Sequence, residues 1–205
     1  MKTKILAVVI TTLFTTAIFA QSKTTFGIRA GVNFQNLNGK TEDGDKIDGK
    51  LKTGFNAGVN AEIPVGIDFY LQPGLLFSTK GAKDKVGDGS TNLSYLELPI
   101  NFIYKPELGT GRMVLGFGPY AAYAIGGKYK SGSVDTDIEF GDQLDELKRF
   151  DAGANLLAGY EFSNKLSFQL NAGLGLIRLN NRADDDTKSS IKNTGFGVSL
   201  GYRFQ

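Results

Sequence analysis

The chain has no cysteine and no histidine, and only 5 of its 205 residues are proline. Without cysteine there are no disulfides, no thiolate metal sites and no lipid-modified N-terminal cysteine. Without histidine, the side chain best suited to proton transfer near neutral pH is missing. A Glu or Lys base would have to sit in a desolvated pocket to take its place. Neither sign of charge is in excess: 23 basic residues face 21 acidic ones, a formal net charge of +2. No basic patch stands out, so nucleic acid is not an expected partner. Past residue 20, no apolar run approaches the length of a membrane-crossing helix. Glycine, by contrast, is abundant at 27 residues, and 41% of the chain is hydrophobic. That is too apolar for disorder and has no collagen period, and the length suits one domain.

Residues 1–20 read as a secretory signal peptide. Lys2 and Lys4 supply the positive start, an apolar run follows from Ile5 to Ile18, and Ile18-Phe19-Ala20 offers a small residue at the cleavage point. The mature chain, residues 21–205, then begins at Gln21. Loss of Lys2 and Lys4 leaves 23 − 2 = 21 basic residues against 21 acidic ones.

The period along the mature chain is two almost everywhere, the signature of half-exposed strands. In 24–35, Phe26, Ile28, Ala30, Val32 and Phe34 alternate with Gly27, Arg29, Gly31 and Asn33. In 51–63, Leu51, Phe55, Ala57, Val59, Ala61 and Ile63 alternate with Lys52, Gly54, Asn56, Gly58, Asn60 and Glu62. Six further strands are expected at about 67–80, 91–104, 111–126, 149–162, 165–178 and 191–204. Each can supply the roughly 9–11 residues that a tilted membrane strand needs. The connections alternate long and short: NLNGKTEDGDKIDGK, Pro64-Val65-Gly66, 81–90, 105–110, 127–148, Ser163-Asn164 and NRADDDTKSS. Long external loops and short periplasmic turns follow this alternation in outer-membrane barrels. Within the longest loop, GDQLDELK reads as a short helix with Asp142 as its N-cap.

Two features favour an apolar face turned outward to lipid. The polar face mixes many glycines with Arg29, Glu62, Tyr70, Tyr95, Glu97, Arg112, Tyr120, Asp151, Glu161 and Arg203. Eight strands leave an interior just wide enough for side chains to fill, and glycine beside Tyr or Arg suits that width. The apolar face is ordered along the barrel axis. Phe26, Phe69, Phe102, Tyr104, Phe162, Phe168, Tyr202 and Phe204 fall near the short-turn ends. Phe34, Phe55, Phe77, Tyr123, Phe150 and Phe196 fall near the long-loop ends, with Ala57, Val59, Leu71, Leu98, Leu156, Leu170 and Val198 between them. Two aromatic girdles around an aliphatic band are what a bilayer selects. The expected fold is therefore all-β, an eight-stranded antiparallel up-and-down transmembrane barrel in the outer membrane.

The stretches IRAGVNFQNL, GFNAGVNAEI, YLQPGLLFSTKGAK, SYLELPINFIYK, GFGPYAAYAIGG, LKRFDAGANLLAGYEF and NAGLGLIRLN span nearly the whole mature chain. In order and spacing they resemble the PorT-like outer-membrane β-barrel proteins, which carry an outer membrane protein beta-barrel domain. The resemblance implies an outer-membrane barrel and no shared catalytic residue. The final GVSLGYRFQ resembles the aromatic C-terminal signal through which the outer-membrane assembly machinery engages its clients, with Gln205 following the aromatic.

No residue is assigned a catalytic, cofactor-binding or metal-binding role, and no cofactor is expected. Asp43-Gly44-Asp45 and Asp184-Asp185-Asp186 are read as solvated loop acids, since the spacing of a calcium-binding loop with its distal Glu is missing. The expected partners are outer-membrane lipid, the assembly machinery through the last strand, and a surface or envelope partner that the sequence does not identify. The leading expectation is a non-enzymatic barrel with a filled lumen that acts through its external loops or within an envelope machine. A narrow transport pore and, behind it, a soluble secreted ligand-binding barrel are the alternatives.

Overall fold

The computed structural model describes residues 24–41, 44–85, 87–144, 146–181 and 189–204. The signal peptide, Asp43 and Asp184–Asp186 lie outside these residues. Eight long strands dominate: β1 (Thr25–Lys40), β3 (Lys52–Gly66), β4 (Phe69–Lys83), β5 (Ser90–Tyr104), β7 (Gly111–Ser131), β9 (Phe150–Glu161), β10 (Leu166–Gly175) and β11 (Ser190–Arg203). Three short pieces, β2 (Lys46–Asp48), β6 (Glu107–Leu108) and β8 (Val134–Asp137), extend hairpins at the strand ends.

Each long strand pairs antiparallel with its neighbour in sequence, and β11 pairs back onto β1 from Gly27↔Arg203 to Lys40↔Ser190. That last ladder closes the sheet into a barrel and removes its free edges. Short turns gather at one end. Asp68 (φ 59°) and Lys165 (φ 69°) take the left-handed conformation that such tight reversals require. In the second turn, the Asn164 side-chain oxygen accepts the Leu166 N–H at 3.2 Å.

The alternation in the sequence sorts the side chains as a lipid-embedded barrel requires. Leu156, Phe26 and Leu200 are 64%, 62% and 65% exposed on the outside, while Glu62 and Asp151 are 3% and 0% exposed within. A soluble barrel would show the reverse. Aromatic contacts trace both expected girdles. At the short-turn end Phe69 stacks on Phe102 (5.4 Å between centroids) and Tyr104 (4.8 Å). At the long-loop end Phe34 meets Phe196 at 5.3 Å and Phe55 meets Phe77 at 5.5 Å.

The strand ends depart from the sequence reading in several places. Pro64-Val65-Gly66, read as a turn, belong to β3, with the reversal at Ile67-Asp68, and β4 runs on to Lys83. β1 and β7 run on to Lys40 and Ser131 because each continues as a hairpin past the barrel rim, with β2 and β8 respectively. β10 stops at Gly175 because the chain then turns Leu179 inward, where it is fully buried. The short helix is absent among the described residues of 141–148, and Asp142 caps nothing. Instead, the Glu146 N–H donates to the Gln143 carbonyl at 3.1 Å, and the Glu146 carboxylate accepts the Gln143 N–H at 2.8 Å. Leu147 pairs with Phe140 on one side and Asn180 on the other, and this tertiary pairing overrides a weak local preference for helix.

Candidate functional site

The sheet encloses a lumen, and period two sends Tyr70, Tyr95, Glu97, Tyr120, Asp151, Glu161, Glu62 and Arg203 into it as the sequence suggested. Glycine makes the room. A Cβ on Gly153 would lie 2.7 Å from the Tyr120 ring, and one on Gly27 would lie 3.4 Å from the Arg203 guanidinium.

At the short-turn end, four charges interlock. Lys105 Nζ lies 2.9 Å from Glu62 and 2.7 Å from Glu161, and the Arg203 guanidinium reaches the same two carboxylates at 2.6 and 3.4 Å. Gln72 donates to Glu62 at 3.0 Å. Two cations meet two anions here, so the layer is neutral. Below it, Arg112 donates to the Tyr70 hydroxyl at 2.9 Å, with Asp68 and Glu107 at 3.7 and 3.6 Å.

Higher in the lumen, Lys80 takes the central place. Its ammonium lies 3.1 Å from Glu97 and 3.3 Å from Asp151, and 4.3 Å from the centre of the Tyr120 ring. Asp151 accepts the Tyr120 hydroxyl at 3.2 Å and the Asn193 amide at 2.9 Å. Burying such charges costs several kcal/mol each unless they are paired and hydrogen-bonded. Lys80, Glu97 and Asp151 are paired, the bonds to Asp151 all falling on Oδ2 while its Oδ1 has no partner among the described residues.

Between the layers lies a cavity of about 50 Å³ lined by Arg29, Asn33, Asn56, Asn101, Asn155 and Asn171, among others. Arg29 Nε, Asn56 Oδ1, Asn101 Oδ1 and Asn193 Oδ1 are buried without a partner among the described residues. At roughly 10–15 Å³ per water, the cavity suits a handful of waters bridging these groups.

The long-loop end is sealed by apolar packing. Leu93, Tyr95, Tyr120, Ala122, Ala124 and Leu179 form one buried cluster, and Leu37, Ile138, Phe140, Leu147 and Ile191 pack against it. Two backbone bonds hold the cap, from the Lys148 N–H to the Leu179 carbonyl (2.7 Å) and from the Leu179 N–H to the Ile191 carbonyl (2.8 Å). The lumen is thus closed by charge at one end and by hydrocarbon at the other.

The sequence reading missed the two cations at the centre of these layers. Lys80 shares its parity with Tyr70 and Gln72, and Lys105 shares its parity with Tyr95 and Glu97. Lys80 is the last residue of the expected strand 67–80 and Lys105 lies one residue past 91–104, so carrying the period through both ends would have found them. Arg29 has no carboxylate within ion-pair distance among the described residues, and it lines the cavity.

A closed barrel with an apolar outside, two aromatic girdles and a polar lumen is the geometry of an outer-membrane protein. Residues 19–181 match the family model of the outer membrane protein beta-barrel domain. The chain belongs to that family. This outer-membrane barrel also resembles solved structures. Neisserial surface protein A is 12% identical with a TM-score of 0.50, and the match covers 89% of this chain and 100% of that one. Ail, the attachment invasion locus protein of Yersinia pestis, solved with the heparin analogue sucrose octasulfate, is 16% identical with a TM-score of 0.44 over the same shares of each chain. A major outer membrane protein of Thermus thermophilus is 16% identical with a TM-score of 0.48, again over those shares. At these identities the likeness to the Neisserial protein is one of fold alone. No curated protein matches this outer-membrane barrel. In the outer membrane, the short turns face the periplasm and the long loops face the exterior.

Proposed function

We propose that the protein is a non-enzymatic barrel that works from its external face, through loops that contact a surface partner or dock an envelope machine. The observation that carries this reading is the double closure of the lumen, by the Lys105 network below and the Leu179 cap above. The Lys80 and Lys105 ammonium groups are each held between two carboxylates, which suits a structural role better than a reactive one. Planar-bilayer recording tests the reading. Purified protein should give no large, steady conductance, and such conductance would overturn it.

A narrow pore is the second reading, and the cavity at mid-height favours it, since a polar chamber already separates the two closures. Conduction would require the charged layer and the cap to part. Small conductance that rises on shortening the loop that carries Phe140 and Leu147 would favour the pore.

The last strand supports a part in assembly as well. Leu200, Tyr202 and Phe204 all point to the lipid side, as a C-terminal segment read by the assembly machinery would. A place among the PorT-like members of the family rests on the order of the motifs alone, and no secretion role is carried over with it.

A further inference from the structure

Two grooves open on the outer side of the barrel at its long-loop end. The larger, about 720 Å³, runs across β3, β4, β5 and β7. Its floor is apolar, with Phe55, Ile125 and Phe140. Four cations border it, Lys52, Lys128, Lys130 and Arg149, against the single carboxylate of Asp137. The pairings of these cations are weak or missing. Lys128 stands 3.9 Å from Asp137, and Lys130 pairs with Asp135 at 2.9 Å on an exposed hairpin. Arg149 has no carboxylate partner among the described residues. Its guanidinium donates to the Ala124 carbonyl at 3.4 Å and lies 5.2 Å from the Phe140 ring centre. Lys52 lies at the inner edge of the groove, only 9% exposed and on the inward parity of Asn56 and Glu62, so it adds to the local positive charge without facing the lipid. The second groove, about 570 Å³ beside β1, β2, β10 and β11, carries Lys40, Lys46 and Lys192 and no carboxylate in its lining.

Height on the barrel identifies what covers these cations. Phe55 belongs to the outer girdle, so the larger groove spans the boundary between hydrocarbon and headgroups. At the opposite end Lys105 and Arg203 turn into the lumen, where carboxylates hold them. The outward cations of the long-loop end therefore face a layer of headgroups, and their excess over carboxylates calls for an anionic one. Phosphate suits both donor types, as a fork for Arg149 and as a point charge for the lysines.

We propose that the larger groove seats the phosphorylated sugar headgroup of an outer-leaflet glycolipid, with its acyl chains against Phe55 and Ile125 and its phosphates on Lys128, Lys130 and Arg149. Native mass spectrometry of the full-length mature barrel in detergent tests this, using bisphosphorylated lipid A, dephosphorylated lipid A and phosphatidylglycerol as probes. The wild type should retain bisphosphorylated lipid A about tenfold better than either other lipid, the equivalent of ~1.4 kcal/mol. K128Q/K130Q/R149Q should abolish that preference while the heat-modifiable gel shift of the folded barrel persists. If the triple variant does not fold, R149Q alone, at an exposed position, should weaken retention several-fold. Equal retention by the folded variants, equal retention of phosphatidylglycerol, or displacement of the lipid by millimolar inorganic phosphate would overturn the proposal.

Discussion

Lys80 and Lys105 each stand between two carboxylates. Removing Lys80 leaves Glu97 and Asp151 with no cation in ion-pair reach among the described residues, and removing Lys105 leaves Arg203 alone against Glu62 and Glu161. Breaking a buried pair by deleting one partner costs about 3–5 kcal/mol. Lys80→Met and Lys105→Met should each lower barrel stability by that order, read from urea unfolding in lipid vesicles. Lys130→Gln breaks only an exposed pair with Asp135 and should change stability by about 0–1 kcal/mol. Arg29→Ala should fall well below the two lysine variants, since Arg29 borders a cavity rather than a carboxylate. Equal losses at Arg29 and Lys80 would contradict the assignment of the layers. The anionic half of both layers was legible in the sequence, because Glu62, Glu97, Asp151 and Glu161 all fall within the expected strands, where parity turns them inward. Lys80 and Lys105 lie at the margins of their strands, where side chains are easily read as loop. The absence of a partner for Arg29 depends on three-dimensional register, which no single sequence carries.

All eight long strands, the alternation of their connections and the two girdles were written in the period of two. The loops were not, because their conformation is decided by what they meet. Leu147 and Leu179 look like ordinary loop residues until the barrel mouth gives them Leu93 and Tyr95 to cover. Glycine marks where strands approach too closely for any side chain. A Cβ on Gly118 would strike the Ile100 carbonyl oxygen and lie 2.7 Å from Asn101 Cα, whereas one on Gly126 would meet nothing within 4 Å. Gly118→Ala should therefore destabilise by roughly 1–3 kcal/mol, as overpacking does. Gly126→Ala should be nearly silent in the same unfolding assay, and matching effects would contradict the close approach. In β11, Phe204 packs edge-on against Tyr202 at 5.3 Å on the lipid side. Phe204→Asp places a charge near the interface, where the direct cost is only about 0–1 kcal/mol. Its main effect should be kinetic, a lower yield of heat-modifiable folded protein in cells. A normal yield would argue against a role for this strand in assembly.

For the whole molecule, the prediction is an outer-membrane protein whose mature N-terminus lies near Gln21, checked by N-terminal sequencing of protein from the outer-membrane fraction. A product still bearing Lys2 and Lys4 would refute the processing. The closing ladder between β1 and β11 also brings the two ends of the described chain together, with the Phe204 N–H donating to the Phe26 carbonyl at 2.7 Å. A short linker could join them, and the chain could be opened instead in any external loop without removing a rung of the barrel. In such a circular permutant β11 sits in mid-chain, and a different strand leaves the ribosome last. Its stability once folded should match that of the parent, while its delivery to the membrane need not. Comparing the two would separate what keeps this barrel standing from what tells the cell to build it.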